Sequence, residues 1–153
     1  MAAPTKDDDD LNLAEITARV ILGGIFIWAG IAKLINLDGF VESVSNFEIA
    51  PFNSAPWDMW LGYMLPAFEL IAGSCLILGI LYRGAIVSVG LLSFGFLGAI
   101  ISVHHRGLNI ECGCFGKALT FNNYYLHMGI LGVMCMLAIY LVVNEFKKTT
   151  NDS

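Results

Sequence analysis

A chain of 153 residues that is 57% hydrophobic and only 14% charged, with mean hydropathy +0.71, is too apolar for a water-soluble domain, where roughly a quarter of residues are charged. Its formal net charge of −5 owes much to the single run Asp7–Asp10, so the charge describes a terminus rather than a surface. No nucleic-acid partner is expected of such a chain, and the lipid bilayer is its expected surroundings.

Residues 1–13 are expected to form an acidic disordered tail, because a run of like charge with little to bury stays solvated. The tail lacks the basic region of a secretory leader, and the apolar segment after it is long enough to span, so the first helix is expected to be retained. Crossing the hydrocarbon takes about 20 apolar residues. Four segments qualify: Ile16–Ile35, Met59–Leu81, Ala85–Val103 and Tyr124–Val143. Lipid gives backbone amides no partners, so each must be a helix. The expected fold is an all-α integral membrane protein, a four-transmembrane-helix bundle over residues 14–146, followed by a polar tail at 147–153.

In chain order, the first helix should open at Asn12 or Thr17 and close before Asp38-Gly39. Leu37, Phe40, Val41, Val44 and Phe47 then recur at helical spacing, which predicts a short amphipathic helix lying in the membrane interface. Pro51 and Pro56 end it, and Trp57 and Trp60 mark the headgroup level. The second helix contains Pro66, which cannot donate to the Gly62 carbonyl and should bend the helix. Tyr82-Arg83-Gly84 is the expected turn into the third helix. Gly90, Gly95, Gly98, Ala99, Gly129 and Gly132 predict a close approach of the third and fourth helices.

Ionisable groups inside a bilayer are costly and invite a functional explanation. Glu69 lies near the middle of the second helix; Arg19 and Lys33 lie near opposite ends of the first. Either base can snorkel or turn inward to Glu69. Such a pair would fix helix packing, or serve as a proton path or polar contact to a quinone head. His127, just over one turn into the fourth helix, would reach the same headgroup or be a plain interfacial histidine. Phe94, Phe96, Tyr124 and Tyr125 are expected to be packing residues. Cys75 and Cys135, about 27 Å and 20 Å deep at 1.5 Å per residue, are expected to act as small hydrophobes.

Reactive groups concentrate between the third and fourth helices, in His104-His105-Arg106 followed by Cys112-Gly113-Cys114-Phe115-Gly116. Thiols react as thiolates, which nearby cations favour, and a histidine accepts a proton near neutral pH. A disulfide between Cys112 and Cys114 closes a very small ring, and a strained disulfide is the more easily reduced. Gly113 best tolerates the backbone that this ring demands. The pair therefore suits cycling chemistry; the alternatives are a static clip or a site for zinc or copper(I) with His104 and His105. Structural zinc cysteines are normally spaced two to four residues apart, so no metal is expected.

Alternation of the helices puts Lys6, Arg19, Arg83, Lys147 and Lys148 on one side, and Lys33, Arg106 and Lys117 on the other. The excess of basic residues predicts cytoplasmic termini and a cysteine loop on the outer face, the compartment where disulfides persist.

Three motifs carry a family resemblance. Arg19, Gly24 and Ala29-Gly30-Ile31-Ala32-Lys33-Leu34 resemble the opening of DoxX-like membrane proteins, and Leu65-Pro66-Ala67-Phe68-Glu69-Leu70 resembles their second helix. Arg106-Gly107 with Cys112-Gly113-Cys114-Phe115-Gly116 resembles the signature loop of the methylamine-utilisation MauE branch. The resemblance spans roughly Ile16 to Val143. It implies a bacterial inner-membrane protein that forms disulfides in a periplasmic thiol partner, similar in layout to quinone-linked thiol oxidases. Cys112 and Cys114 would be the redox pair, assisted by His104, His105 and Arg106; Arg19, Lys33 and Glu69 would be the intramembrane polar set. Such oxidases generally relay electrons through a second cysteine pair, for which Cys75 and Cys135 are badly placed. The competing expectation is a non-catalytic accessory subunit of a larger membrane complex, with Cys112–Cys114 as a structural disulfide.

Overall fold

The computed structural model describes residues 6–46, 54–106 and 124–151. They form five helices: α1 (Lys6–Ile35), α2 (Leu37–Asn46), α3 (Trp57–Leu78), α4 (Tyr82–His105) and α5 (Tyr124–Asn151). No strand occurs among the described residues. Four segments are long and apolar enough to cross a membrane: Leu13–Ile35, Trp57–Leu78, Tyr82–His105 and Met128–Lys147. The four expected spans are all present, and the chain is a multi-pass, all-α membrane protein.

Two boundaries differ from expectation. α1 begins at Lys6, so residues 6–13, assigned from sequence to a disordered tail, are helical. Asp7–Asp10 occupy its first turns. The α3–α4 turn falls at Gly79–Leu81, three residues ahead of Tyr82-Arg83-Gly84. Gly79 ends α3 at φ 71° and Leu81 precedes α4 at φ 50°. Gly79 has no Cβ to oppose the left-handed conformation that closes a helix.

α1 packs on α3, α3 on α4, α4 on α5, and α5 returns to α1. Leu22, Phe26, Leu76, Val89, Ile100, Leu131 and Leu141 fill the interior. The closest backbone approach joins α1 to α3. A Cβ on Gly23 would stand 2.8 Å from the Gly73 carbonyl oxygen, and one on Gly73 the same 2.8 Å from that of Gly23. A Cβ on Gly30 would lie 3.0 Å from the Pro66 carbonyl oxygen. The glycines expected to draw the third and fourth membrane helices together do not: Gly95, Gly98, Gly129 and Gly132 have nothing within 4 Å, and Gly90 finds only Ala138 at 3.9 Å. Ile100 of α4 and Leu131, Met134 and Ala138 of α5 belong to one buried apolar cluster. A helix that is apolar all round carries no pattern saying which face turns inward.

α2 is amphipathic as expected, but its apolar side is turned to protein. Phe40 and Val44 are buried, and Val41 lies where a Cβ on Gly62 would be. Trp57 and Trp60 are exposed at the start of α3.

These contacts predict opposite outcomes for one substitution at two glycines. Gly73→Ala pushes a methyl into the Gly23 carbonyl, and overpacking of this kind costs about 1–3 kcal/mol. Gly98→Ala meets open space and gains helix propensity. Thermal unfolding in detergent should show a lower midpoint for the first variant and an unchanged or higher one for the second.

Candidate functional site

Lys33 stands two residues before the end of α1, and Glu69 stands twelve residues into α3. The glycine contacts bring these helices close enough for the lysine stem to reach. Lys33 Nζ donates to both carboxylate oxygens of Glu69, at 2.6 Å and 2.9 Å. The two side chains are 0% and 1% exposed. Two aromatic rings complete the enclosure: Phe40 of α2 lies 5.4 Å from Nζ to its centroid, and Phe96 of α4 lies 5.0 Å away. Both fall within the roughly 6 Å over which a ring face attracts a cation. Four helices thus converge on one ammonium.

Arg19, the other expected partner of Glu69, is engaged near the middle of α1, at the level of the α3–α4 turn. Its Nε donates to the Leu76 carbonyl at 3.2 Å, one of the carbonyls that the last turn of α3 leaves without a helical donor. Its guanidinium lies 4.3 Å from the centroid of the Tyr82 ring, and the Tyr82 hydroxyl donates to Glu15 at 2.9 Å. Arg19 therefore ties α1 to the α3–α4 turn and takes no part in the Lys33–Glu69 site. The polar set expected to act together is divided between the two ends of the bundle, because fourteen residues of helix, about 21 Å, separate the two bases.

The end that carries α2 and the start of α3 also receives the end of α4. His104, His105 and Arg106 are exposed there, and Arg106 donates to the Ser102 hydroxyl at 3.2 Å. Cys112 and Cys114 lie outside the described residues. His127 falls in the first turn or so of α5, at this same end. Cys135 is buried and Cys75 half-buried; both are free thiols. Among the described residues, no three His, Cys, Asp or Glu side chains converge as a metal site would require.

Phe40, Phe96, Tyr82 and Glu15 were not singled out from the sequence as site residues. Phe40 had a usable signal, since it sits on the buried stripe of a helix that starts four residues after Lys33. Phe96 had none, being one phenylalanine in an apolar run.

Replacing Glu69 by Gln strands an ammonium with no counter-charge. Loss of one member of a buried pair costs about 3–5 kcal/mol, whereas replacing both by apolar groups of similar size is often neutral or stabilising. Glu69→Gln should therefore lower the unfolding midpoint in detergent, and the double variant Lys33→Met/Glu69→Met should recover most of the loss.

A comparison with protein-family models matches residues 11–144 to the family described as Methylamine utilisation protein MauE. No curated protein and no solved structure matched the chain. The matched span takes in the first three membrane segments and most of the fourth, the Lys33–Glu69 pair and the cysteine motif, and the chain belongs to the MauE family.

Proposed function

We propose that this chain is a membrane thiol–disulfide oxidoreductase whose Cys112–Cys114 pair exchanges electrons with a thiol protein at the membrane surface. The observation that carries the reading is the exposed His104-His105-Arg106 end of α4, six residues before Cys112. Cationic and proton-accepting groups beside thiols favour the reactive thiolate. Membership in the MauE family supports a membrane accessory role in redox-related processes.

In this reading a partner thiolate attacks one sulfur of the Cys112–Cys114 disulfide. A mixed disulfide forms, and the other cysteine leaves as a thiolate, with His104 or His105 available to supply its proton. A second partner thiolate displaces the mixed disulfide, so the partner is oxidised by two electrons and the pair is left as a dithiol. Reoxidation requires two electrons and two protons to depart, and the acceptor class we name is a membrane quinone. Lys33 and Glu69 do not fit a quinone head, because each satisfies the other and neither is exposed. No step is routed through them.

The cell location we propose is the bacterial inner membrane, with the termini cytoplasmic and His104–Arg106 at the periplasmic face. The distribution of basic residues supports this, and the exposed Arg83 lies at the terminal end.

Thiol trapping tests the proposal. Run in reverse against an oxidised partner, the one remaining thiolate of Cys112→Ser or Cys114→Ser should attack the partner's disulfide and hold a mixed disulfide, since the neighbouring thiol that would displace it is absent. In the unmodified protein the pair should equilibrate with a glutathione buffer at ordinary ratios, unlike a structural disulfide. Persistent oxidation in excess reduced glutathione, with no trapped partner, would make Cys112–Cys114 a clip in an accessory subunit.

Orientation is checked separately. After mild reduction, a membrane-impermeant thiol reagent should label Cys112 or Cys114 in intact cells once the outer membrane is permeable. Buried Cys135 should react only after denaturation. Labelling of the pair only after the inner membrane is opened would reverse the topology.

A further inference from the structure

We propose that α2 is a strap latched by the Lys33–Glu69 pair, and that its release uncovers the pair at the end of the bundle carrying His104–Arg106. Lys33 lies two residues before the end of α1, and Asn36 alone separates α1 from α2. α2 folds back so that Phe40 is 5% exposed with its ring 5.4 Å from Lys33 Nζ. Its other anchors are Val44, which is buried, and Val41 against Gly62. The strap thus covers the short route by which the ammonium of Lys33 would reach water.

That route gives the latch its physical basis. A lysine deprived of its counter-charge inside a bilayer snorkels along its stem toward the nearest polar surface. For Lys33 the nearest helix end lies two residues away, and Phe40 stands over it. The other enclosing ring, Phe96, belongs to α4 and lies nine residues, about 14 Å, below His105. It walls the pair from the side. While Glu69 holds Lys33, the ammonium stays beneath Phe40 and α2 stays down. When the pair is broken, the emerging lysine displaces Phe40 and α2 lifts. The surface at this end of the bundle changes with it, independently of the cysteines.

Two readouts on the full-length protein in detergent test the strap. Lys33 acetylation by a small amine-acylating reagent is measured by mass spectrometry against the exposed Lys147. Backbone amide exchange is followed in residues 37–46. Phe40→Ala should raise Lys33 acetylation about tenfold by lowering the cost of local opening. Phe96→Ala should leave Lys33 protected. Glu69→Gln should accelerate exchange in residues 37–46 about tenfold more than in α4. If Glu69→Gln does not fold, the two phenylalanine variants still decide. The proposal is overturned if Phe40→Ala leaves Lys33 protected, or if Phe96→Ala exposes it equally. It is also overturned if Glu69→Gln leaves α2 exchange unchanged or raises exchange uniformly along the chain.

Discussion

Hydrocarbon offers an ionised side chain neither hydrogen bonds nor counter-charge, and Lys33, Glu69 and Arg19 each meet that constraint through a neighbouring helix. Lys33 and Glu69 do so by mutual pairing, with two phenyl faces closing over the ammonium. Arg19 does so by capping a helix end and stacking on Tyr82. Each solution ties α1 to α3 or to the turn that follows it. One lies near the final turn of α1 and the other near its middle, so the two clamps fix the relation of these helices at two levels.

Packing makes the first clamp geometrically available. Gly23 and Gly73 bring carbonyl oxygens against opposing Cα atoms, and Gly30 rests near the Pro66 carbonyl. A larger residue at any of these positions would move α3 away, and the short Lys33–Glu69 bonds would lengthen. Pro66 contributes differently: lacking an N–H, it gives the Gly62 carbonyl no helical donor, and Gly62 is where Val41 of α2 packs. Close packing, ion pair and strap are therefore successive layers of one corner of the bundle.

The redox reading and the ion pair concern different depths of the same end. His104–Arg106 stand at the surface, while the pair lies beneath α2 beside Phe96. A closed pair of this kind resembles a structural device more than a ligand site, since both carboxylate oxygens are taken and no water-facing surface remains. Chemistry proposed for the chain rests on its thiols, and the strap proposed at the same end of the bundle rests on the pair.

Hydropathy and period are local properties, so the sequence alone determined the four spans and the amphipathic character of Leu37–Asn46, and it narrowed the partners open to Glu69 to two bases. Tertiary structure decided which base, because that depends on the axial offset and rotation of α1 against α3. Lys33 faces Glu69, whereas Arg19 is about 21 Å away along the helix. It also decided that Phe40 and Phe96 enclose the ammonium, and that the glycines in contact are Gly23, Gly30 and Gly73 rather than those of α4 and α5. In a chain whose membrane helices are apolar on every side, no local pattern separates the face that meets a neighbour from the face that meets lipid. Only the packed bundle makes that distinction.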